Sequence, residues 1–200
     1  EMTLHLSETL NPNTLRSLVE AVEVNNVQHT IVFRGETNSK HFCTGMDLKA
    51  ATFGDDMMSE GLEEFARLYQ ALEAAKMPMI AVCHGATRGG GMLMPCMATV
   101  TLATKDATFG FPEIRQGGLP GIVSVAAQKR MNAQLCRRWM VTGDAYTADA
   151  AQQAGLVDFV GSPEEVEREL RRLLGRFKST DPGLLSSCYT KCPAPTVEMA

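Results

Sequence analysis

The 200-residue sequence predicts a single α/β domain, and three observations support this prediction. Amphipathic helical patterns alternate with short apolar strand patterns along most of the chain, which is typical of a sheet covered by helices. A hydrophobic content of 44% is enough for one substantial core, and the length leaves little room for a second. Glycine-rich segments follow two of the predicted strands, where the chain is expected to turn tightly into helices.

The N-terminal half alternates helix and strand. Apolar residues of 13–24 fall on one helical face, and the apolar run 30–34 then predicts a short buried strand. The same pair recurs, because residues 60–75 have a helical apolar face and residues 79–83 form the next apolar run. After the second glycine-rich segment we expect a short helix through residues 92–94 and a strand over residues 99–103.

The C-terminal half is expected to be mainly helical. We predict helices over residues 121–130, 133–141 and 147–154, and a closing strand over residues 156–160. Ser162 and Glu165 then form a capping box with Pro163 in the first turn, which predicts a polar helix to about residue 178. Past Asp181 the composition shows no periodicity. We therefore expect a domain over residues 1–180 and a loosely held tail over residues 181–200.

Composition and charge exclude several classes of function. The formal net charge is −4 without any long run of like charges, so nucleic acid is not an expected partner. No apolar stretch approaches the roughly 18 residues of a membrane span, and no signal peptide pattern is visible. Only Cys188 and Cys192, among six cysteines, lie close in sequence, and no second ligand pair accompanies them, so no metal site is expected. The cysteine usage suits the cytoplasm or a reducing organelle.

Two segments, residues 41–49 and 84–91, each lead from a predicted strand through glycine into a predicted helix. The first N–H groups of a helix lack intrahelical acceptors and carry the positive end of its dipole, while glycine permits close approach of a ligand. This combination predicts a pair of backbone donors directed at one oxygen atom.

These segments, in this order and followed by the sequence Phe-Gly-Phe-Pro-Glu at residues 109–113, resemble the crotonase (enoyl-CoA hydratase/isomerase) superfamily over about residues 30–160. The resemblance implies a crotonase-like fold of ββα spiral repeats, here with abbreviated N- and C-terminal ends. It also implies an acyl-thioester substrate whose oxygen is held, as an enolate forms, by the backbone N–H groups of Met46 and Gly90. A Cβ at Gly90 is expected to intrude where the thioester approaches.

The resemblance implies that Glu113 is the catalytic acid/base. In the two-glutamate hydratases of the family, the second carboxylate falls three residues after the middle glycine, and that position is Leu93 here. Adding water across a double bond generally requires one group to activate water and another to deliver the proton. A lone carboxylate therefore suits a reaction that removes and returns one proton, such as an enoyl double-bond shift.

Leu93, Arg88 and Lys49 are the expected substrate-binding residues. The Arg88 guanidinium suits a substrate carboxylate, with contact to a neighbouring subunit or to solvent as the alternatives. Some relatives use a lysine near the position of Lys49 to bind coenzyme A phosphates, and a solvated helix lysine is the alternative. Asp47 is expected to cap the helix that begins beside it. His41 and His84 flank the two segments, and we expect no catalytic role for either.

Several functions remain open at this level. The first is an enoyl double-bond isomerase or a hydratase/dehydratase, and the second is a dehydratase or decarboxylase domain of polyketide β-branching. The third is a crotonase-fold binding domain without catalysis. No cofactor is expected, since coenzyme A or phosphopantetheine is part of the substrate. The expected partners are acyl-CoA or an acyl-carrier protein, together with further copies of the chain in a homotrimer or other homo-oligomer.

Overall fold

The computed structural model describes residues 1–25, 28–46 and 55–191, apart from the side chains of residues 55–58. The strands are β1 (Met2–Leu6), β2 (Ile31–Gly35), β3 (Met79–Cys83), β4 (Ala86–Arg88), β5 (Val100–Thr104), β6 (Thr108–Gly110), β7 (Tyr146–Thr147) and β8 (Phe159–Gly161). The α-helices are α1 (Pro12–Asn25), α2 (Asp55–Glu73), α3 (Leu93–Met97), α4 (Gly121–Arg130), α5 (Ala133–Thr142), α6 (Ala148–Gln153), α7 (Pro163–Ser179) and α8 (Pro182–Lys191). Short 3-10 helices cover Gly89–Met92 and Pro112–Gln116.

The strands form two sheets. Five parallel strands pair in the order β1-β2-β3-β5-β8, and a smaller sheet has the order β4-β6-β7. In the smaller sheet β4 and β6 are parallel, and β7 is antiparallel to β6. Successive units place one strand in the large sheet and the next in the small sheet before a helix follows, as in β3-β4-α3 and β5-β6-α4. The α/β prediction with ββα repeats is therefore confirmed.

Both faces of the large sheet are buried. One face packs with α1 and α2 in the main core, while Val32, Ile80 and Leu102 on the other face pack against α7. A strand that is buried on both faces carries a continuous apolar run, which explains why β2 and β3 could be recognised in the sequence. Arg34 in β2 donates to both carboxylate oxygens of Glu167 at 2.6 and 2.9 Å, and this pair fastens α7 to the sheet.

The two ends of the described chain differ from the sequence prediction. Strand β1 was not predicted, because only five residues at the start of the chain carry its alternating burial. Helix α8 covers Pro182–Lys191, where no periodicity is visible in the sequence, and the loosely held character of the tail stays a prediction. Asp181 Oδ1 accepts a hydrogen bond from Leu184 N–H at 2.9 Å in the first turn, and Tyr189 packs against the main core. The domain boundary at residue 180 remains a prediction.

Strand β8 begins three residues later than predicted. The N–H groups of Leu156 and Val157 both donate to Ala151 O, at 3.0 and 3.3 Å, so these residues close the end of α6 instead of pairing with β5.

In the described ranges, no helix combines the length and the apolar character needed to cross a bilayer.

The loop after β2 runs parallel to β4. Cys43 N–H donates to Ala86 O at 3.3 Å, and Arg88 N–H donates to Cys43 O at 3.0 Å. This register brings the chain close to the triple glycine, because a Cβ added at Gly91 would lie only 2.2 Å from Cys43 O. Position 91 therefore requires glycine, because the backbone of Cys43 lies too close to leave room for a side chain.

We expect Gly91→Ala to lower the free energy of unfolding by about 1–3 kcal/mol or more, because the neighbouring atom is backbone and cannot rotate away. The measurement is urea denaturation. Gly175→Ala is the matched control, since Gly175 is exposed in α7 and a Cβ there would have no neighbour within 4 Å. It should raise stability by roughly 0.4–1 kcal/mol. A Gly91→Ala protein as stable as its parent would contradict the described register.

Candidate active site

The two glycine-bearing segments meet at Gly45 and Gly90. Gly45 has φ of +91°, a left-handed conformation that favours glycine, and a Cβ on it would lie 2.8 Å from Gly90 N and 2.9 Å from Arg88 O. Met46 N belongs to the peptide that follows Gly45. The structure therefore brings the Met46 peptide next to the start of the Gly89–Met92 turn.

Gly90 is the second residue of that 3-10 turn. The first N–H groups of a helical turn have no intrahelical acceptor, and Gly90 lies in this first part of the turn. The turn ends at Leu93, whose N–H donates to Gly90 O. Gly89, with φ of +52°, gives the sharp entry into the turn that leaves these groups at its mouth. An oxygen atom with developing negative charge is the natural partner for such donors.

The space beside Gly90 is occupied by Phe65 of α2. A Cβ on Gly90 would lie 3.3 Å from Phe65 Cε2 and 3.5 Å from Phe65 Cζ, and Phe65 is only 4% exposed. Within the protein, the nearest neighbour of the added carbon would be this core ring, and the expectation that the carbon would intrude on the thioester stays a prediction. The sequence alone does not reveal this contact, since Phe65 is one of several apolar positions on α2 and nothing in its spacing distinguishes it.

Glu113 lies beside the glycine turn. Phe109 and Phe111 are fully buried and anchor the chain on either side of Gly110, and the 3-10 helix Pro112–Gln116 then begins. A Cβ on Gly89 would lie 3.2 Å from Glu113 Oε1. The carboxyl group predicted to move the proton is thus adjacent to the turn that carries one predicted donor.

The environment of Glu113 disfavours its ionised form. Its Oε2 atom is buried and has no hydrogen-bond partner within the described ranges. Burial raises the pKa of Glu113, and a hydrogen bond from its own backbone N–H opposes this only in part. A carboxyl group with a raised pKa can both accept and release a proton near neutral pH.

Leu93 is fully buried at the start of α3 and packs in the main core. It therefore contributes no ionisable group at the position where the two-glutamate hydratases carry their second carboxylate. Within the described ranges, no group of three or more histidine, cysteine, aspartate or glutamate side chains is arranged to hold a metal ion.

The Arg88 guanidinium joins β4 to β6. Its Nη1 donates to Thr87 O at 2.9 Å and to Thr108 O at 2.6 Å, and its Nη2 donates to Thr108 Oγ1 at 2.9 Å. Burial lowers the pKa of Arg88. These bonds occupy part of the guanidinium, so its binding of a substrate carboxylate remains a prediction. Lys49 and Asp47 lie outside the described residues, and their roles remain predictions as well.

The two histidines contact backbone atoms. His41 Nδ1 accepts a hydrogen bond from Ala86 N–H at 3.2 Å, and His84 Nε2 lies 3.1 Å from Ser39 O.

The Cys43 thiol lies in the same loop as His41. Its burial raises the pKa of Cys43 to about 12, so it remains a thiol and packs as an apolar residue.

Comparison with curated proteins identifies related sequences. The chain is 29% identical over 177 residues to a crotonyl-CoA hydratase of Syntrophomonas wolfei, and the match covers 85% of this chain and 67% of that protein. It is 32% identical over 124 residues to the 2,3-dehydroadipyl-CoA hydratase of Escherichia coli, covering 62% of this chain and 48% of the relative. The chain thus spans between about half and two thirds of these relatives.

Solved structures show the same fold. A subunit I enoyl-CoA hydratase structure from Geobacillus kaustophilus superimposes with a TM-score of 0.81 at 29% identity, covering 93% of this chain and 75% of that one. An enoyl-CoA hydratase/carnitine racemase from Magnetospirillum magneticum gives a TM-score of 0.85 at 20% identity, with 98% and 80% covered. The model of the enoyl-CoA hydratase/isomerase family matches residues 2–189. The chain therefore belongs to the enoyl-CoA hydratase/isomerase family.

Proposed function

We propose that this chain catalyses proton transfer on an acyl thioester with a single carboxylate, and that the reaction is the shift of an enoyl double bond between the 3- and 2-positions. One observation carries the proposal: Glu113 Oε2 is buried beside the glycine turn with no hydrogen-bond partner among the described residues, while Leu93 holds no second carboxylate. A buried carboxyl group without a cation is costly to maintain, and such groups are concentrated at functional sites.

In this mechanism the Glu113 carboxylate takes a proton from the α carbon of a 3-enoyl thioester. The electron pair of the broken C–H bond enters the conjugated system and places negative charge on the thioester oxygen. The N–H groups of Met46 and Gly90 stabilise that dienolate oxygen, and each such donor typically contributes about 10²–10³ in rate. The protonated Glu113 then returns the proton to the γ carbon, which yields the 2-enoyl thioester and regenerates the carboxylate.

Hydration is the second candidate, because both curated relatives described above are named as hydratases. Water addition needs a group that activates water and a group that delivers a proton, whereas the proposed site contains a single carboxyl group, that of Glu113. Coenzyme A and an acyl-carrier protein remain alternative carriers of the acyl group. A dehydratase or decarboxylase of polyketide β-branching would use the same two donors.

Glu113→Gln should abolish exchange of substrate protons with solvent while leaving thioester binding largely intact, because the amide keeps the size of the side chain and cannot act as a base. The measurement is mass spectrometry of 3-enoyl and 2-enoyl thioesters incubated in deuterated water, together with a binding titration. In the parent protein, deuterium should enter the α or γ carbon faster than water adds to the double bond.

Two results would contradict this mechanism. Turnover retained by Glu113→Gln would remove Glu113 from the proton transfer. Hydration of a crotonyl thioester by the parent protein that outpaces deuterium exchange would show that a second acid/base group operates in spite of Leu93.

Glu113→Gln should also stabilise the fold at neutral pH. The pKa of Glu113 is higher in the folded protein than in the unfolded chain, so its ionisation weakens the parent above the folded-state pKa. The parent regains this stability as the pH falls through that pKa, and the advantage of the glutamine variant should shrink in the same range. Thermal melts across pH, with the exposed Glu23→Gln as control, measure the difference. An advantage that grows toward low pH would contradict the raised pKa.

Gly90→Ala should lower kcat by up to about 10²–10³ with a smaller change in KM, because the added Cβ meets Phe65 and displaces the donor. Phe65→Leu removes ring atoms from that contact, so the double variant should regain much of the lost rate. Phe33→Leu, at another buried phenylalanine, is the control and should give no rescue. Equal recovery with both leucine variants would show that the Phe65 contact does not control the donor.

A further inference from the structure

The side chain of His41 takes part in the pairing between the loop after β2 and strand β4. Both backbone groups of Ala86 face residues 41–43: its C=O accepts from Cys43 N–H at 3.3 Å, and its N–H donates to His41 Nδ1 at 3.2 Å. In a continuous ladder, that N–H would find a backbone carbonyl. Here the imidazole nitrogen takes the place of that carbonyl at the first rung.

This contact fixes the protonation state of the ring. A backbone N–H can only donate, so Nδ1 must present its lone pair, and the proton of the neutral imidazole lies on Nε2. Protonation of Nδ1 would place its N–H opposite the Ala86 N–H, and two donors cannot form a hydrogen bond with each other. The hydrogen bond therefore exists only while His41 is neutral.

We propose that His41 is a positioning residue for the oxyanion hole: its neutral imidazole holds the start of β4, and through it Gly90 N–H, in register with Met46. The inference rests on the proposed function of Gly90 as a donor. Its physical basis is the short connection from Ala86 to the glycine turn, which begins directly after the three residues of β4 and is also held by the Arg88 N–H bond to Cys43 O at 3.0 Å.

The charged and titratable groups around His41 make other contacts and do not accept the Ala86 N–H bond. His84 Nε2 donates to Ser39 O, a bond that survives protonation of its Nδ1. Asp106 accepts from Gly85 N–H at 3.3 Å and interacts with His84. The Glu8 carboxylate lies 3.1 Å from Ser39 Oγ, and Lys40 precedes His41 in the loop. His84 therefore serves as a matched control, since its ring contact does not depend on the neutral form.

The test uses acetoacetyl-CoA, a β-ketothioester whose bound enolate places a negative oxygen where the donors are proposed to act. Binding is measured across pH in the Glu113→Gln background, where Glu113 no longer titrates. Three further changes are compared: His41→Asn, whose amide oxygen replaces the Nδ1 acceptor, His41→Leu, which removes it, and His84→Gln as control. Comparison with His41→Asn at each pH cancels the ionisation of the thioester itself.

With His41 present, binding relative to His41→Asn should weaken by about tenfold at a pH low enough to protonate the ring, which corresponds to the loss of one hydrogen bond. His41→Leu should bind weakly at every pH, and His84→Gln should follow the parent. A pH profile of His41→Leu that matches the parent in both strength and shape would overturn the proposal.

A second readout needs no substrate and separates this inference from the proposed function. Nitrogen-15 NMR should find His41 Nδ1 unprotonated at neutral pH, and the Gly90 amide resonance should shift as His41 titrates in the parent but not in His41→Asn. A protonated Nδ1, or a Gly90 amide that ignores the titration, would overturn the positioning role. Failure of every variant to bind acetoacetyl-CoA, with these NMR results as expected, would instead count against the thioester function.

Discussion

The short ladder between the loop after β2 and strand β4 is the interaction on which the rest of the candidate site depends. Cys43 gives and receives one backbone hydrogen bond with the residues of β4, and this pairing fixes a loop of the large sheet against the first strand of the small sheet. The register brings Gly45 against Gly90 and leaves no space for a side chain at Gly91. The left-handed conformations of Gly45 and Gly89, and the first N–H groups of the turn that lack intrahelical acceptors, are thus maintained by pairing that occurs outside the turn itself.

Glu113 is likewise held in an unfavourable position by well-packed neighbouring residues. Phe109 and Phe111 are fully buried, and their packing determines where the following 3-10 helix begins. The helix then holds a carboxyl oxygen in a buried position without a partner among the described residues. Burial of this kind lowers the free energy of unfolding, and it also raises the pKa of Glu113. A raised pKa favours the proposed role, in which one carboxyl group accepts and returns a proton. Stability and the proposed chemistry therefore oppose each other at this residue.

The sequence predicted the features that are set by local pattern and by backbone requirements. Strand β3 and helix α4 have the predicted bounds. The strand is visible in the sequence as a continuous apolar run, since both of its faces are buried, and the end of the helix is visible because another helical pattern begins shortly after it. The contact of Phe65 with Gly90 and the bond of His41 to Ala86 could not be predicted, since each joins residues whose spatial proximity depends on the complete fold. Helix α8 was missed for another reason: it has no buried residue, so no apolar face marks it.

The most direct test is a crystal structure of the Glu113→Gln protein with a 3-enoyl-CoA thioester bound, because the substituted side chain should stop the reaction without emptying the site. The thioester oxygen should lie within about 2.7–3.1 Å of both Met46 N and Gly90 N, with the α carbon next to the side chain at position 113. A thioester oxygen held by Arg88 or by solvent, with either of the two backbone N–H groups turned away from it, would contradict the assignment of the site.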